Sequence, residues 1–228
     1  MPKNCEGIGS FWFSCFRKAN QKTYEERLAS KCFKRKYKVT TDSSHKYPAA
    51  KNVLGRKFTV NNKNEVWVSD ITYVKASFRW LYLTVIIDLF DRTVIGWTLS
   101  TSLKAKHTSV KAFEMAIANR PIKNDSTLIF HSDRGTQYAC NEFVYELNKH
   151  KSIIRSMSRK GNSWDNSVSE SFFKTLKVEL IYQNHYQNKQ EAELSISEYI
   201  EIFYNSTRRH SHLDNRTILE HCISQSSN

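Results

Sequence analysis

The sequence predicts an α/β fold: a mixed five-stranded sheet flanked by helices, with a basic linker before it and a helical extension after it. Three observations predict this. Runs rich in β-branched and aromatic residues recur at 66–74 ("VWVSDITYV"), 80–88 ("WLYLTVIID") and 93–99 ("TVIGWTL"), with short joins typical of an antiparallel meander. Two further short strands then alternate with segments of helical period, the pattern of strands covered by helices. The last long segment carries one apolar stripe at helical spacing, Ile196, Tyr199, Ile200 and Phe203.

Taken in order, residues 1–30 are unassigned and read as a truncated N-terminal helical region. Within them "FWFSCF" has no partner pattern. "TYEERLASKCF" reads as a short helix, with Thr23 and Glu26 at capping-box spacing and Tyr24, Leu28 and Cys32 four apart. Residues 31–64 read as an extended basic linker, with ten Lys or Arg against one acid, Asp42, over 31–63; it either tracks DNA or is simply solvated. Residues 65–183 form the expected core. After its three strands come a helix at about 107–119, on which Val110, Phe113 and Ile117 recur before Pro121, and a strand at Thr127–Phe130. A helix at about 139–150 turns Phe143 and Leu147 inward, "SIIRSM" (152–157) is the fifth strand, and a helix covers about 167–181. Residues 184–228 are the C-terminal helical extension, helical over about 189–205.

With 228 residues and a formal net charge of +13, the chain suits a polyanionic partner, most simply nucleic acid. Five scattered cysteines without a C-x-x-C pair argue against a disulfide framework and for a reducing compartment. No secretory signal is evident, and the longest apolar run, Leu81–Ile87, is too short to span a bilayer. A soluble, intracellular protein is expected.

Three acids sit where packing alone would not prefer them. Asp70 lies in mid-strand, flanked on its own face by Val68 and Thr72. Asp133 ends the strand of "IFHSDRGTQY", with Gly135 expected to let the backbone turn away without crowding a phosphate. Glu170 falls in the first turn of a helix, where Ser167-x-x-Glu170 would equally well be a capping box. Clustered carboxylates need a counter-charge, and hard divalent cations supply it. Two such ions about 3.5–4 Å apart clamp both oxygens of a phosphodiester displacement. Glu170, Lys174 and Lys177 share one helix face; Val168, Phe172, Leu176 and Leu180 lie opposite.

Other polar residues have plainer readings. Asp88, with Asp91 and Arg92 in the following turn, is read as a turn-former rather than an auxiliary acid. Asp165 and Asn166 are expected to cap the helix or order its loop. His131 either supports a carboxylate, contacts DNA or packs. His210, His212, His221 and Cys222 lack the second paired ligand set of a zinc module. Trp67, Trp97 and Tyr73 fit strand packing better than base stacking.

Together, "VWVSDITYV", "VIIDLFDRTVIGW", "FHSDRGTQY", "SMSRKGNSWDNSVSESFFKTLKVEL" and "YIEIFYNSTRRHSHL" resemble the second-frame product (OrfB) of bacterial insertion-sequence transposases, over about residues 34–213. That family belongs to the retroviral-integrase-like DDE superfamily. The resemblance implies an RNase H-like core and makes Asp70, Asp133 and Glu170 the catalytic and metal-binding triad, with 36 residues between the last two. It implies Mg²⁺ or Mn²⁺, two ions in the active complex, metal-dependent strand cleavage and 3′-hydroxyl strand transfer. Expected phosphate contacts are Arg134, Arg159, Lys160, Lys174, Lys177, Arg208 and Arg209. Expected partners are insertion-sequence ends and target DNA, further copies of the chain, and a first-frame helix-turn-helix product, in the bacterial cytoplasm at the nucleoid. The pattern departs at both ends: residues 1–30 match only through their final helix, and "NRTILEHCISQSSN" lacks the usual proline. The alternatives are a non-catalytic DNA-binding remnant that regulates the full-length enzyme, and an RNase H-like nuclease.

Overall fold

The computed structural model describes residues 45–122 and 126–226. The segment "FWFSCF", the helix expected around 23–33 and the first part of the basic linker lie outside the described residues.

Strand β1 (Val66–Ala76) is the axis of the sheet. Its Val66-Trp67-Val68 start is buried on both faces, as a strand covered from two sides requires. A two-residue turn returns the chain as β2 (Arg79–Asp88), antiparallel from Trp67 opposite Asp88 to Ala76 opposite Arg79. β3 (Val94–Ser100) continues the meander. Helix α1 (Ser109–Asn119) leads to β4 (Leu128–Ser132), which lies parallel to β1. A short α2 (Thr136–Ala139) and α3 (Asn141–Asn148) lead to β5 (Ile153–Met157), parallel to β4. The order across the sheet is β3-β2-β1-β4-β5. A 3-10 turn at Ser163–Asn166 enters α4 (Ser167–Glu179). Helix α5 (Lys189–Ser197) runs into a π-helical stretch at Glu198–Tyr204. A small ladder of β6 (Arg209–His210) and β7 (Arg216–Thr217) precedes α6 (Ile218–Ser226).

The five core strands follow the sequence reading closely. The helix expected at 139–150 is α3, Asn141–Asn148, and an unforeseen short α2 precedes it, set apart by Cys140 in an extended conformation (φ −67°, ψ 153°). The helix expected at 189–205 widens at Glu198 into the π form.

Period-two alternation splits the sheet into two cores. Val66, Val68 and Val74 of β1, with Leu81, Leu83, Val85 and Ile87 of β2, face Phe172, Phe173 and Leu176 of α4. Ala192, Ile196, Tyr199, Ile200, Leu213 and Ile218 join that same core, so the segment after α4 packs directly on the sheet. On the other face Trp67, Ile86, Ile95, Leu128 and Phe130 meet Val110, Phe113 and Ala116 of α1 and Phe143 and Leu147 of α3. Gly96 sets the spacing there: a Cβ on it would lie 2.2 Å from the Ala112 carbonyl oxygen and 2.8 Å from the Ala116 nitrogen.

The β2–β3 turn is built on buried charge. Asp88 and Asp91 have no exposed side-chain surface, and Arg120, just past α1, reaches both, with Nη1 2.6 Å from Asp88 Oδ2 and Nη2 on Asp91. Asn64 and Phe90 amides also donate to Asp88, and the Thr93 amide to Asp91. Burial raises the Asp88 carboxyl despite Arg120. Burial acts the same way on Asp91, but the Arg120 hydrogen bond and charge prevail and hold it below its ordinary value.

Residues 45–58 form a strap along β5. Met157 donates its amide to the Lys51 carbonyl, and the Val53 and Leu54 amides donate to Ser156 Oγ. At the opposite edge, the Asn205 side chain satisfies both backbone groups of Val94, accepting from its N–H and donating to its C=O, each at 3.0 Å.

Two stability measurements check this account. Gly96→Ala is expected to lose about 3 kcal/mol in urea unfolding, because the obstructing atoms are helix backbone and cannot rotate away. Arg120→Met is expected to lose roughly 3–5 kcal/mol at neutral pH by stranding two buried carboxylates. The unpaired acids then bind protons more tightly in the fold than in the unfolded chain, so the deficit narrows as pH is lowered toward about 4.

Candidate active site

Asp70 points from β1 toward the α4 side, in alternation with Val68, Thr72 and Val74. It is half-buried, and the Ile71 amide donates to its Oδ1 at 2.8 Å. Its carboxyl is pushed well above the usual carboxylate range, first by burial and then by the charge of Asp133. Glu170 adds a smaller push in the same direction; Lys177 pulls the other way. The parallel pairing of β4 with β1 places these acids together, because Ser132 pairs with Ser69 and each aspartate follows directly.

Asp133 accepts a 2.9 Å hydrogen bond from the Gly135 amide. Gly135 has an ordinary φ of −63°, so it is not needed for an unusual turn. It is needed for room: a Cβ there would stand 3.0 Å from both Asp133 Oδ1 and Gln137 Oε1.

Tyr138 lies beneath the pair and is a residue the sequence reading passed over. Ser69 Oγ donates its only proton to the Val85 carbonyl at 2.8 Å, so the Tyr138 hydroxyl, 2.8 Å away, must donate to Ser69. Burial pushes the Tyr138 hydroxyl well up, and Asp70 and Asp133 push it further. The "TQY" after "SDRG" is the only sequence signal, and it needs the short α2 to be meaningful.

Glu170 stands exposed on α4; desolvation raises its carboxyl and a hydrogen bond from Ser163 opposes the rise. The capping-box alternative does not hold. The N-cap is Asn166, and no side chain caps the helix, because Ser167 is already its first residue. Asp165 and Asn166 do not cap either. Asn166 instead donates from Nδ2 to the Ser69 carbonyl at 3.0 Å, tying the α4 entrance to the residue beside Asp70. Phe172, Phe173 and Leu176 hold the opposite face of α4 in the core, leaving Lys174 exposed and Lys177 half-buried on the acid's side.

The other candidates disperse. Lys160 and Arg209 are exposed; Arg134 donates from Nε to the Ser158 carbonyl. Arg159 is paired with Asp165 and Arg208 with Glu179. His131 is fully buried between Ser156 and Ser158, and burial pushes it down to about 4, so it is a neutral packing partner rather than a DNA contact. His210 donates to the Tyr204 carbonyl, and His212 accepts from Arg92. Trp67 and Trp97 donate to Asn64 and Glu201.

Among the described residues no three His, Cys, Asp or Glu side chains form a closed metal cage. The Asp70–Asp133 pair nonetheless fits a hard divalent cation: oxygen donors, mutual repulsion in need of a counter-charge, and few enough ligands to leave positions for water and phosphate oxygens.

Two family models, each described as an integrase core domain, match residues 60–163 and 170–221. The chain belongs to the integrase core family. It is 40% identical over 182 residues to an uncharacterised 31 kDa protein of insertion element IS600 from Shigella sonnei, covering 80% of this chain and 65% of that one. It is 38% identical over 177 residues to the transposase InsF for insertion sequence IS3A of Escherichia coli K12, covering 78% and 60%. The chain thus spans about 60–65% of the length of these relatives. Its fold is similar to that of a chain in the simian T-cell lymphotropic virus intasome bound to PP2A regulatory subunit B56 gamma (TM-score 0.56, 19% identity, 79% of this chain, 60% of that one). It is also similar to the catalytic domain of Mos1 mariner transposase (TM-score 0.52, 11% identity, 61% and 71%). The mixed sheet flanked by helices is therefore the RNase H-like architecture of integrase and transposase cores. No helix among the described residues is long and apolar enough to cross a membrane.

Asp70→Asn tests the site without reference to turnover. Asp70 binds a proton more tightly in the fold than in the unfolded chain, so its ionised form costs stability as pH rises through that window. Without divalent cation the variant is expected to melt about 3 °C or more above wild type near pH 7.5. Added Mg²⁺ is expected to raise the melting temperature of wild type and not of the variant.

Proposed function

We propose that this chain carries the chemistry of a DDE-type transposase: metal-dependent cleavage of a DNA strand and transfer of its 3′-hydroxyl to another phosphodiester. The observation that carries the reading is the meeting of Asp70 on β1 with Asp133 just past β4, which the parallel pairing of the two strands brings together, with the charges of Glu170 and Lys177, both on α4, also acting on Asp70. The family match and the transposase relatives support it.

In this reading Asp70, Asp133 and Glu170 would hold Mg²⁺ or Mn²⁺, two ions in the active complex. Bound there, the metal would supply Lewis-acid stabilisation of the phosphate and activation of the attacking hydroxyl. The chain's own residues do the rest. Asp70 is fixed by the middle of β1 and the Ile71 amide, and Asp133 by the end of β4 and the Gly135 amide, so their oxygens face the site before substrate arrives. Tyr138 and Ser69, both buried and hydrogen-bonded to each other, back the pair. Lys177 offsets the acids' charge, and Lys174 and Lys160 present cations to the DNA backbone. The net charge of +13 draws the polyanion in. Insertion-sequence ends and target DNA are the proposed substrates, with further copies of the chain and a first-frame helix-turn-helix product as partners.

Strand transfer on a branched DNA substrate is the test, run with Mg²⁺, Mn²⁺ or EDTA. Wild type is expected to form product only with metal, while Asp133→Asn and Glu170→Gln fall by at least about 10³-fold yet bind DNA as well or better. Metal-dependent turnover by Asp133→Asn would sink the triad. DNA binding by wild type without product would favour a regulator of the full-length enzyme.

A further inference from the structure

The loop between β5 and α4 hangs from one buried carboxylate. Asp165 has no exposed side-chain surface, and it gathers donors from two distant parts of the chain. Arg159 gives its backbone N–H (3.0 Å), Nε (2.9 Å) and Nη2 (2.9 Å) from the start of the loop. Asn52 Nδ2 (2.9 Å) and Arg56 Nε (2.8 Å) reach Asp165 from the strap ahead of the sheet. Arg56 also donates from Nη2 to Asn162 Oδ1 at 2.9 Å, so it grips the loop at two points.

The strap is shaped for this grip. Gly55 and Arg56 both have left-handed backbone, φ 56° and 65°. A non-glycine residue keeps that conformation only when its surroundings enforce it, and here Asp165 and Asn162 do so. On its far side the same loop touches the acids. The Ser163 side chain bonds to Glu170, and Asn166 bonds to the Ser69 carbonyl beside Asp70.

We propose that Asp165 and Arg56 are positioning residues, through which the segment preceding the sheet fixes the loop that sets Glu170 against Asp70. This rests on the reading of Glu170 as part of the active site. It gives the strap's cations a second role besides phosphate contact: the order of the strap and the geometry of the site rise and fall together.

Arg56→Gln tests this, with Arg56→Lys beside it. Arg56 is partly exposed, so the fold is expected to survive with a melting temperature within a few degrees of wild type. Hydrogen exchange of residues 159–170, measured without DNA, is expected to quicken at least tenfold in Arg56→Gln and less in Arg56→Lys. Single-turnover strand transfer at saturating DNA is expected to fall at least tenfold, with DNA affinity within about twofold and partial recovery in Arg56→Lys. Unchanged loop exchange overturns the proposal. So does unchanged turnover, or a loss of DNA affinity large enough to account for the whole loss of rate, which would make Arg56 a phosphate contact instead. A wild type without turnover sinks the functional reading alone; loop exchange then decides the brace, faster exchange upholding it and unchanged exchange overturning it.

Discussion

Asp70 and Asp133 repel each other in a place where water cannot fully screen them, and much of the structure serves to keep them there. The parallel pairing of β4 with β1 brings the end of β4 level with Asp70 in the middle of β1. Backbone amides hold each carboxylate, the missing Cβ of Gly135 leaves room, and the charges of Glu170 and Lys177 on α4 reach Asp70. A fold selected for stability alone would put an apolar or neutral residue at one of these positions. The mutual repulsion of the two acids leaves a place where a cation would be stabilised. The sequence carries a formal net charge of +13, a balance that suits a polyanion.

The sheet was readable because its strands announce themselves. β1 to β3 are dense in Val, Ile, Trp and Tyr, and their joins are short enough to leave only a meander. Asp70, Asp133 and Glu170 stood out as candidates because each breaks a local pattern: a charge in a strand, a charge at its tip, an acid on a helix face shared with lysines. What could not be read were interactions between segments far apart. Nothing near Arg120 in the sequence points to Asp88 or Asp91, about thirty residues away, yet it is their joint counter-ion. Capping spacing favoured Ser167, but tertiary bonds from Asn166 to Ser69 started the helix one residue earlier. Tyr138 and the Ser69 hydroxyl are ordinary residues made consequential only by register.

Charge was the least legible quantity. A run of basic residues looks uniform in sequence, but the structure divides it by partner. Arg208 is spent on Glu179, Arg159 and Arg56 on Asp165, and Arg209 on Glu220 and the Asn215 carbonyl, while Lys160 and Lys174 stay exposed. Buried carboxylates make this division, and they lie far away in sequence.

The sealed edges of the sheet carry a last consequence. An open five-stranded sheet has two borders at which a foreign strand can add. At β5 the strap bonds to Ser156 and Met157, and at β3 the Asn205 amide takes both backbone groups of Val94 as a neighbouring strand would. At Met157 and Val94 a foreign strand would find the backbone already bonded, which works against edge-to-edge pairing there. Assembly around a nucleic acid would then fall to helix faces and loops, whose side chains can be matched to one partner, and not to backbone, which matches any.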